Sequence, residues 1–270
     1  MFDGGRGTNK GQFDNPTGIA IDPNGNILVA DTNNGRIEKF SPTGAYLISM
    51  GIKGIGYGQL GAPNGIAIDR AGNIYIADAA KHVVEKMTGD GTVVAEWKGA
   101  APGFYGPRRV AIGPDQSIYV VDQGRTRIVK FNSDGQVLAT WGSKGSGEGQ
   151  FDDPTSVAVD AANRVLVADP INRRIQVFDS NGKFLTQWSI PQWGRPHGFE
   201  DLAIDSQRNR LYASSANMDA VLMFDLNGNR MGSLTAKPGE RLDGPSALVL
   251  GNRKLYVLNM AGSRVTAIDL

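Results

Sequence analysis

The chain has 270 residues, 40% of them hydrophobic, and its 28 basic and 27 acidic side chains leave a formal net charge of +1. This near-neutral balance argues against bulk nucleic acid as a partner, and the absence of cysteine excludes disulfides and thiolate metal sites. Because no apolar run approaches the ~20 residues of a spanning helix and residues 1–15 do not resemble a signal peptide, we expect a soluble chain without a membrane partner, in a compartment that the sequence does not identify.

A unit of 44 to 47 residues recurs along the chain, with copies that start near Pro16, Pro63, Pro107, Pro154, Phe199 and Pro245. A fixed period of this size indicates a repeat architecture. We therefore expect residues 1–270 to form a single repeat domain, because repeat folds of this length are often one domain.

Each copy contains four short β-strand patterns. In the first copy they are PTGIAID, NILVAD, RIEKF and AYLISMG, separated by turns that include Asn24-Gly25 and Thr43-Gly44. Alternating apolar residues and branched side chains favour strands, and Asn-Gly is typical of a tight hairpin. Six such units predict an all-β fold, a six-bladed β-propeller of four-stranded antiparallel blades.

The two ends of the sequence predict an incomplete last blade. The sixth copy stops at the end of its third strand, and Met1 to Asp3 are too few to supply a full fourth strand. Two alternatives follow: an open sheet edge that can pair with another chain, or a domain cut from a longer, extracytoplasmic protein.

Residues at two positions of the repeat are expected to stabilise the fold. A small residue recurs inside each first strand (Ala20, Ala67, Ala111, Ala158, Ala203 and Val249), where crowding near the axis favours a methyl group. An Asp that ends the second strand is followed five residues later by Arg, as in Asp31 and Arg36, which predicts a repeated ion pair or backbone hydrogen bond. Val83 and Ala220 interrupt that pattern in copies two and five.

The residues GQF-x-x-P-x-G-I-A-I-D, followed by N-I-L-V-A-D and N-x-R-I-x-K-F, resemble the NHL repeat. The resemblance covers nearly the whole chain, and it is clearest in the first and fourth copies. It implies a six-bladed propeller, in agreement with the count of repeats. NHL proteins have diverse functions, so the resemblance does not choose among them.

The residue after the repeat's proline begins each first strand and should point toward one mouth of the central channel. We call these six residues the axial ring: Thr17, Asn64, Arg108, Thr155, Glu200 and Ser246. Arg109 and Asp201 follow in copies three and five. We expect Asn64 and Glu200 to face each other across the axis, with Arg108 beside Asn64. The ring is the predicted ligand-binding site.

The segments around Asn64 and Glu200 also resemble those of the gluconolactonase propellers, where an Asn, a Glu and an Asp bind a divalent cation. This resemblance implies Asn64 and Glu200 as metal ligands, with calcium or magnesium as the cation. Arg108 stands where the family's Asp would be, and its guanidinium would repel a cation or recognise an anion. In the simpler alternative, Glu200 and Arg108 balance each other through water.

The joint SIPQWGRPHGFE departs most from the repeat, and it contains Trp193 and His197. Departures from a repeat are places where function can be added on loops, so these two residues are secondary candidates together with Arg109 and Asp201. His82 and His197 are the only histidines. Two histidines on distant blades cannot build the zinc site of the NHL-related amidating lyases.

Three functions remain open. The favoured one is a binding module without a cofactor, which presents a face or the channel mouth to a protein, a peptide, a glycan or a small anionic ligand. The second is a metal-dependent hydrolase or lyase in which Glu200 acts as base or metal ligand. The third, single-stranded RNA binding, needs a basic face with exposed aromatic groups, for which only Arg108, Arg109, Arg125 and Arg127 are concentrated enough.

Overall fold

The computed structural model describes residues 2–194, 198–236 and 241–270. It contains six antiparallel sheets arranged as the blades of a propeller, so the predicted all-β, six-bladed fold is confirmed. In the first five blades the strands run in sequence order from an innermost strand a to an outermost strand d. Within the described ranges, no helix has the length and apolar character needed to cross a lipid bilayer.

The strands follow the six repeats. Blade 1 contains Pro16–Ile21, Ile27–Asp31, Arg36–Phe40 and Tyr46–Met50. Blade 2 contains Pro63–Ile68, Ile74–Asp78, Val83–Met87 and Val93–Trp97. Blade 3 contains Pro107–Ile112, Ile118–Asp122, Arg127–Phe131 and Val137–Trp141. Blade 4 contains Ser156–Val159, Val165–Asp169, Arg174–Phe178 and Phe184–Ser189. Blade 5 contains Leu202–Asp205, Arg210–Ser215, Ala220–Phe224 and Arg230–Leu234.

The last blade differs from the others. Its own repeat supplies the three strands Pro245–Gly251, Lys254–Asn259 and Arg264–Asp269. The two-residue strand Phe2–Asp3 pairs with the last of these, at Val265 and Arg264. The expectation of an incomplete last blade is therefore confirmed. The remaining short elements are the 3-10 turns Thr32–Asn34 and Gln123–Arg125 and the parallel pair Ser143–Lys144 and Gln150–Phe151.

The hydrophobic core consists of six clusters, one between each pair of neighbouring blades. Ala20 of blade 1 packs in the same cluster as Ile66 and Ile68 of blade 2, and Ile19 packs on the other side against blade 6. The recurring small residue thus accommodates two branched side chains of the next blade. Close packing leaves no room there for a larger group.

Three tryptophans fix the spacing of the outer strands. The rings of Trp97, Trp141 and Trp188 lie against the turn between strands c and d of the next blade. At that turn a Cβ on the facing glycine would come within 2.3 to 2.6 Å of the ring (Gly135, Gly182 and Gly228). The Asp-Gly and Asn-Gly turns therefore serve blade packing as well as chain reversal.

The repeated Asp and Arg form buried ion pairs, as the sequence predicts. Arg36, Arg127 and Arg174 each place Nε 2.7 to 2.8 Å from the Asp that ends strand b of the same blade. The same arginines donate to backbone carbonyls of the joint, the segment that connects strand d of the preceding blade to strand a. This motif therefore attaches each joint to its blade.

Blade 2 binds its joint with a lysine instead of an arginine. Val83 stands in the arginine position, and Lys81 instead donates to the carbonyls of Gly56 and Gln59 in the joint. Lys81 also pairs with the carboxylates of Glu85 and Glu96. Blade 2 thus has no arginine at position 83, and the cation of Lys81 binds the joint in its place.

The burial of Glu85 makes the stability of the folded protein depend on pH. Its side chain is fully buried, and this desolvation raises its pKa from 4.5 to about 7 despite the charge of Lys81. A raised folded-state pKa contributes stability that is present below pH 4.5 and is lost as the pH rises through 7. We expect Glu85→Gln to flatten this decline, whose slope is at most about 1.4 kcal/mol per pH unit. Chemical denaturation between pH 4 and 8 is the measurement.

Gln176 occupies the equivalent position in blade 4 and is fully buried, so glutamine suits this environment. Glu148→Gln, at an exposed residue, is the control, and its pH profile should match that of the wild type. If Glu85→Gln and the wild type lose stability in parallel, folding does not raise the pKa of Glu85.

Candidate functional site

A shift in strand register marks four of the six axial-ring positions. In blades 1, 3 and 6 the register between strands a and b shifts across Thr17, Arg108 and Ser246, and in blade 2 it shifts across Asn64 and Gly65. A bulge redirects the side chain of the extra residue. In blades 4 and 5, Thr155 and Glu200 precede strand a.

Neighbouring first strands approach closely at the ring. A Cβ on Gly18 would lie 2.0 Å from the carbonyl oxygen of Asn64, which explains the glycine of the repeat's Pro-x-Gly. The Thr17 hydroxyl donates to Asn64 Oδ1 over 3.2 Å, and the Thr155 hydroxyl donates to the carbonyl of Glu200 over 2.7 Å. Ring residues are therefore linked from blade to blade.

The ring is mostly buried. Thr17, Thr155, Glu200 and Ser246 are at most 4% exposed, whereas Asn64 and Arg108 are partly exposed. Of the six predicted binding residues, these two present the accessible polar groups at the mouth.

Arg109 crosses the axis just below the ring. From blade 3 it places Nε 2.9 Å from Asp201 Oδ1 of blade 5. Its two terminal nitrogens donate to the carbonyls of Thr17 in blade 1 and Ser246 in blade 6, over 3.3 and 3.1 Å. One buried guanidinium thus connects four blades.

Asp201 completes this arrangement. Oδ1 accepts from the Ser156 hydroxyl of blade 4, and Oδ2 accepts from the backbone N–H of Leu248 in blade 6 over 2.8 Å. Arg109 and Asp201, which we call the axial ion pair, are 8% and 3% exposed. These secondary candidates join the blades and are enclosed.

The axial ion pair divides the channel. A cavity of about 310 Å³ is bounded by Arg109 and Asp201 and lined by apolar residues of the first strands, while none of the six ring residues lines it. The mouth at the ring is therefore separate from the apolar cavity on the other side of the pair.

Arg108 is the partly exposed cation of the mouth. Its Nη1 donates to Gln123 Oε1 over 2.9 Å, Nη2 donates to the carbonyl of Gly198, and its guanidinium lies 4.2 Å from the ring centroid of Phe199. Burial, together with the charge of Arg109, lowers the pKa of Arg108 to about 10, against the attraction of Asp153, Glu200 and Asp201. The group remains a cation at neutral pH, held in one orientation.

The carboxylates near Arg108 do not pair with it directly. Among the described residues, no Asp or Glu oxygen lies within the 4.0 Å that defines an ion pair with Arg108. Asp153 Oδ1 instead accepts from Gln123 Nε2 over 2.6 Å. That Glu200 and Arg108 balance each other through water stays a prediction.

The residues at two of the three implied cation-ligand positions, Asn64 and Arg108, make other contacts. Asn64 Oδ1, the implied metal ligand, accepts from Thr17. Arg108 stands in the place of a third ligand, and it contacts Gly198 and Phe199, just before Glu200. In the described part of the chain, no group of three or more His, Asp or Glu side chains could hold a metal ion.

The odd joint has a structural role at Trp193. Its ring is 2% exposed, packs between blades 4 and 5, and donates from Nε1 to the carbonyl of Ser214 over 3.0 Å. His197, the other candidate there, lies outside the described residues. His82 is far along the chain from this joint, and it stacks on Tyr105 with ring centroids 5.3 Å apart.

Sequence reasoning missed Gln123 and the role of Phe199. Gln123 opens a 3-10 turn in blade 3 and bridges Arg108 to Asp153. The residue at this position differs from blade to blade, with Thr32, Ala79 and Pro170 among the others, so the repeat gave no signal for its contact with the mouth. Phe199 replaces the repeat's proline, and that departure was the available signal.

Comparisons with known proteins agree with this fold. The family model described as NHL repeat matches residues 13–40. No curated protein sequence matches the chain. Similar solved structures include a streptogramin B lyase (TM-score 0.71, 14% identity, 96% of this chain and 84% of that one). A gluconolactonase from Xanthomonas campestris is also similar (TM-score 0.69, 14% identity, 94% and 85%). A chain of a nidogen/laminin complex is a third (TM-score 0.66, 20% identity, 84% and 82%).

At these identities the solved structures support the fold alone, because one propeller architecture carries many functions. The protein is a six-bladed β-propeller whose first blade carries an NHL repeat.

Proposed function

We propose that this propeller is a binding module whose channel mouth recognises an anionic group, such as a carboxylate of a protein, a peptide or a small organic acid. Arg108 carries this proposal. It is a partly exposed cation without a carboxylate at ion-pair distance among the described residues, held in one orientation by neutral groups.

The guanidinium is preorganised for such a ligand. Arginine has five N–H donors in a planar fork, and the bonds to Gln123 and Gly198 use two of them. The ring of Phe199 restrains the plane of the fork. Partial desolvation strengthens charge-assisted hydrogen bonds, and a side chain already fixed loses little entropy when it binds.

Arg108→Gln should abolish this recognition. With succinate, inorganic phosphate and a short peptide bearing a free C-terminal carboxylate as probes, we expect ligand-observed NMR to detect saturable binding to the wild type. We expect affinity for the best probe to fall by about tenfold or more in the variant. Arg108→Lys should also bind weakly, because an ammonium group cannot reproduce the planar fork.

Arg70→Gln is the matched control, since Arg70 is an exposed arginine in a turn between strands a and b, remote from the mouth. It should bind like the wild type. Equal affinity of the wild type and Arg108→Gln for every probe would refute the proposed anion site.

A metal-dependent hydrolase or lyase is the second candidate. It would use Glu200 and Asn64 with Ca²⁺ or Mg²⁺, and its support is the likeness of fold to the lyase and the gluconolactonase. About one equivalent of divalent metal in protein purified without chelators, lost in Glu200→Ala, would replace the binding proposal with this one.

A further inference from the structure

Three joints share one backbone conformation. Residues 4–13, 51–60 and 142–151 each contain a parallel bridge at the same two positions: Arg6 with Phe13, Lys53 with Leu60, and Lys144 with Phe151. In each joint a glutamine side-chain oxygen accepts from a backbone N–H three residues earlier (Gln12, Gln59 and Gln150). The joints therefore serve as internal controls for one another.

One of these joints is apolar where the others are polar. Ile52, Ile55 and Tyr57 are 72%, 79% and 69% exposed. The joint at 142–151 has Ser143, Ser146 and Glu148 at the same positions, all exposed, and the joint at 4–13 has Gly5, Thr8 and Lys10. Because the same backbone forms with polar side chains, the fold does not require the three apolar groups. Exposed apolar clusters mark interaction sites.

The apolar joint continues into neighbouring segments. Lys81 donates to the carbonyl of Gly56, so this joint contacts the connection at 79–82. The next residue, His82, stacks on Tyr105, which is 58% exposed, and accepts from the N–H of Gly106. The surface thus runs from blade 1 to blade 3.

This surface is basic. Lys53 donates to the carbonyl of Asn33, and Arg125 donates to that of Gly103, which joins the segments 32–35 and 123–126 to it. The segments 32–35, 51–62, 79–82, 98–106 and 123–126 contain no Asp or Glu, and their accessible cations are Lys53, Lys98 and Arg125. The side chain of Lys81, also in these segments, is buried and paired with Glu85 and Glu96. We call these five segments the apolar–basic sector. The net charge of the whole chain, +1, hides this asymmetry.

We propose that the apolar–basic sector docks a protein segment in which Leu, Ile or Phe side chains alternate with Asp or Glu. The apolar residues would pack on Ile52, Ile55, Tyr57 and Tyr105, and the carboxylates would lie near Lys53 and Lys98, both exposed. Complementary charge gives such an interface orientation and a fast on-rate.

Two other occupants fit less well. A second copy joined by two-fold symmetry would bring the same basic sector against itself. RNA binding relies on stacking and on phosphate contacts, to which Ile52 and Ile55 contribute little. The inference rests on the proposed role as a binding module, but it does not depend on Arg108.

The test exchanges one joint for another. The variant Ile52→Ser/Ile55→Ser/Tyr57→Glu gives the apolar joint the side chains of 143, 146 and 148, and the control Ser143→Ala/Ser146→Ala/Glu148→Ala alters the polar joint. Fluorescence anisotropy would be measured with a labelled peptide that alternates Leu or Phe with Glu or Asp. Comparison probes are the same peptide with Lys in place of the acids, one with Ser in place of the apolar residues, and oligouridylate.

We expect the acidic–apolar peptide to bind the wild type and the polar-joint control alike. Its affinity should fall by about tenfold or more for the exchanged joint, and the three comparison probes should bind more weakly to the wild type. Lys98→Glu, a single exposed substitution, should weaken binding as well, and it provides a second variant if the exchanged joint unfolds.

Three results would overturn the inference. The first is equal affinity of the acidic–apolar peptide for the wild type, the exchanged joint and Lys98→Glu. The second is tighter binding of oligouridylate than of any peptide. The third is a wild-type dimer by light scattering that becomes monomeric in the exchanged joint. If Arg108→Gln loses peptide binding while the exchanged joint keeps it, the peptide binds at the channel mouth and not on the apolar–basic sector.

Discussion

Replacing Asp201 with alanine is expected to lower the free energy of unfolding by about 3–5 kcal/mol, because it leaves the buried charge of Arg109 without its partner. Arg109 would keep its bonds to the carbonyls of Thr17 and Ser246, and these cannot neutralise a guanidinium. The variant also removes the acceptor of the Leu248 N–H. Equilibrium denaturation with guanidinium chloride measures the change.

Removing Arg109 and removing Asp201 should lower the free energy of unfolding by different amounts. Arg109→Met removes the cation, while Asp201 keeps the hydroxyl of Ser156 and the N–H of Leu248, so the loss should be smaller than for Asp201→Ala. Combining Arg109→Met with Asp201→Leu should recover part of the loss, since a buried pair can be replaced by apolar groups at little cost. A loss below about 1 kcal/mol for Asp201→Ala would show that the pair does not support the axis.

The blades could be predicted from sequence because their information is local. Period-two alternation, Asn-Gly turns and a fixed repeat length determine the strands, and the Asp31–Arg36 type of pair lies within one blade. The axial ion pair is different, since Arg109 and Asp201 are far apart in sequence and meet only when the ring of blades closes. The sequence pattern identified both residues as secondary candidates for the binding site, but it did not indicate that they form an ion pair.

The axial ring shows a second limit. The first strand begins at the predicted residue in blades 1, 2, 3 and 6, but in blades 4 and 5 it begins later, at Ser156 and Leu202. Thr17 and Ser246 are buried although each lies at a register shift, as Arg108 does. A bulge depends on strand pairing and has no reliable signature in one sequence. As a result, a set of six predicted positions reduces to Asn64 and Arg108 as the accessible groups.

The sequence analysis overlooked the apolar side chains of the joint at 51–60. The odd joint attracted attention through Trp193, which lies in the core. The joint with Ile52, Ile55 and Tyr57 follows the repeat in its glycines and glutamine, so it looked ordinary. Position-by-position comparison shows that the three joints differ in side-chain polarity and not in length.

The mouth and the apolar–basic sector are related by geometry and charge. Gly124 lies between them, because its N–H donates to the carbonyl of Tyr105, and the preceding residue, Gln123, holds Arg108. The mouth and the apolar–basic sector therefore adjoin. The apolar cavity is bounded by the axial ion pair, and none of the six ring residues lines it.

Asp169→Ala is the second substitution with a large expected effect, a loss of about 3–5 kcal/mol in the free energy of unfolding. Asp169 is fully buried, and its carboxylate accepts from Arg174 Nε over 2.8 Å and from the N–H of Asp152 over 2.8 Å. Without it, the cation of Arg174 stays in place with only carbonyl and amide acceptors, among them Gln150. Denaturation measures the global loss.

A local measurement separates this mechanism from general weakening. Arg174 donates to the carbonyls of residues 146, 147 and 150, so amide hydrogen exchange should accelerate in that joint more than in the equivalent joint at 51–60, which Lys81 holds instead. Asp179→Ala, in a turn of the same blade, should leave the joint protected. Uniform acceleration in both joints, or a global loss no greater than that of Asp179→Ala, would mean that the Asp–Arg motif does not attach the joint to its blade.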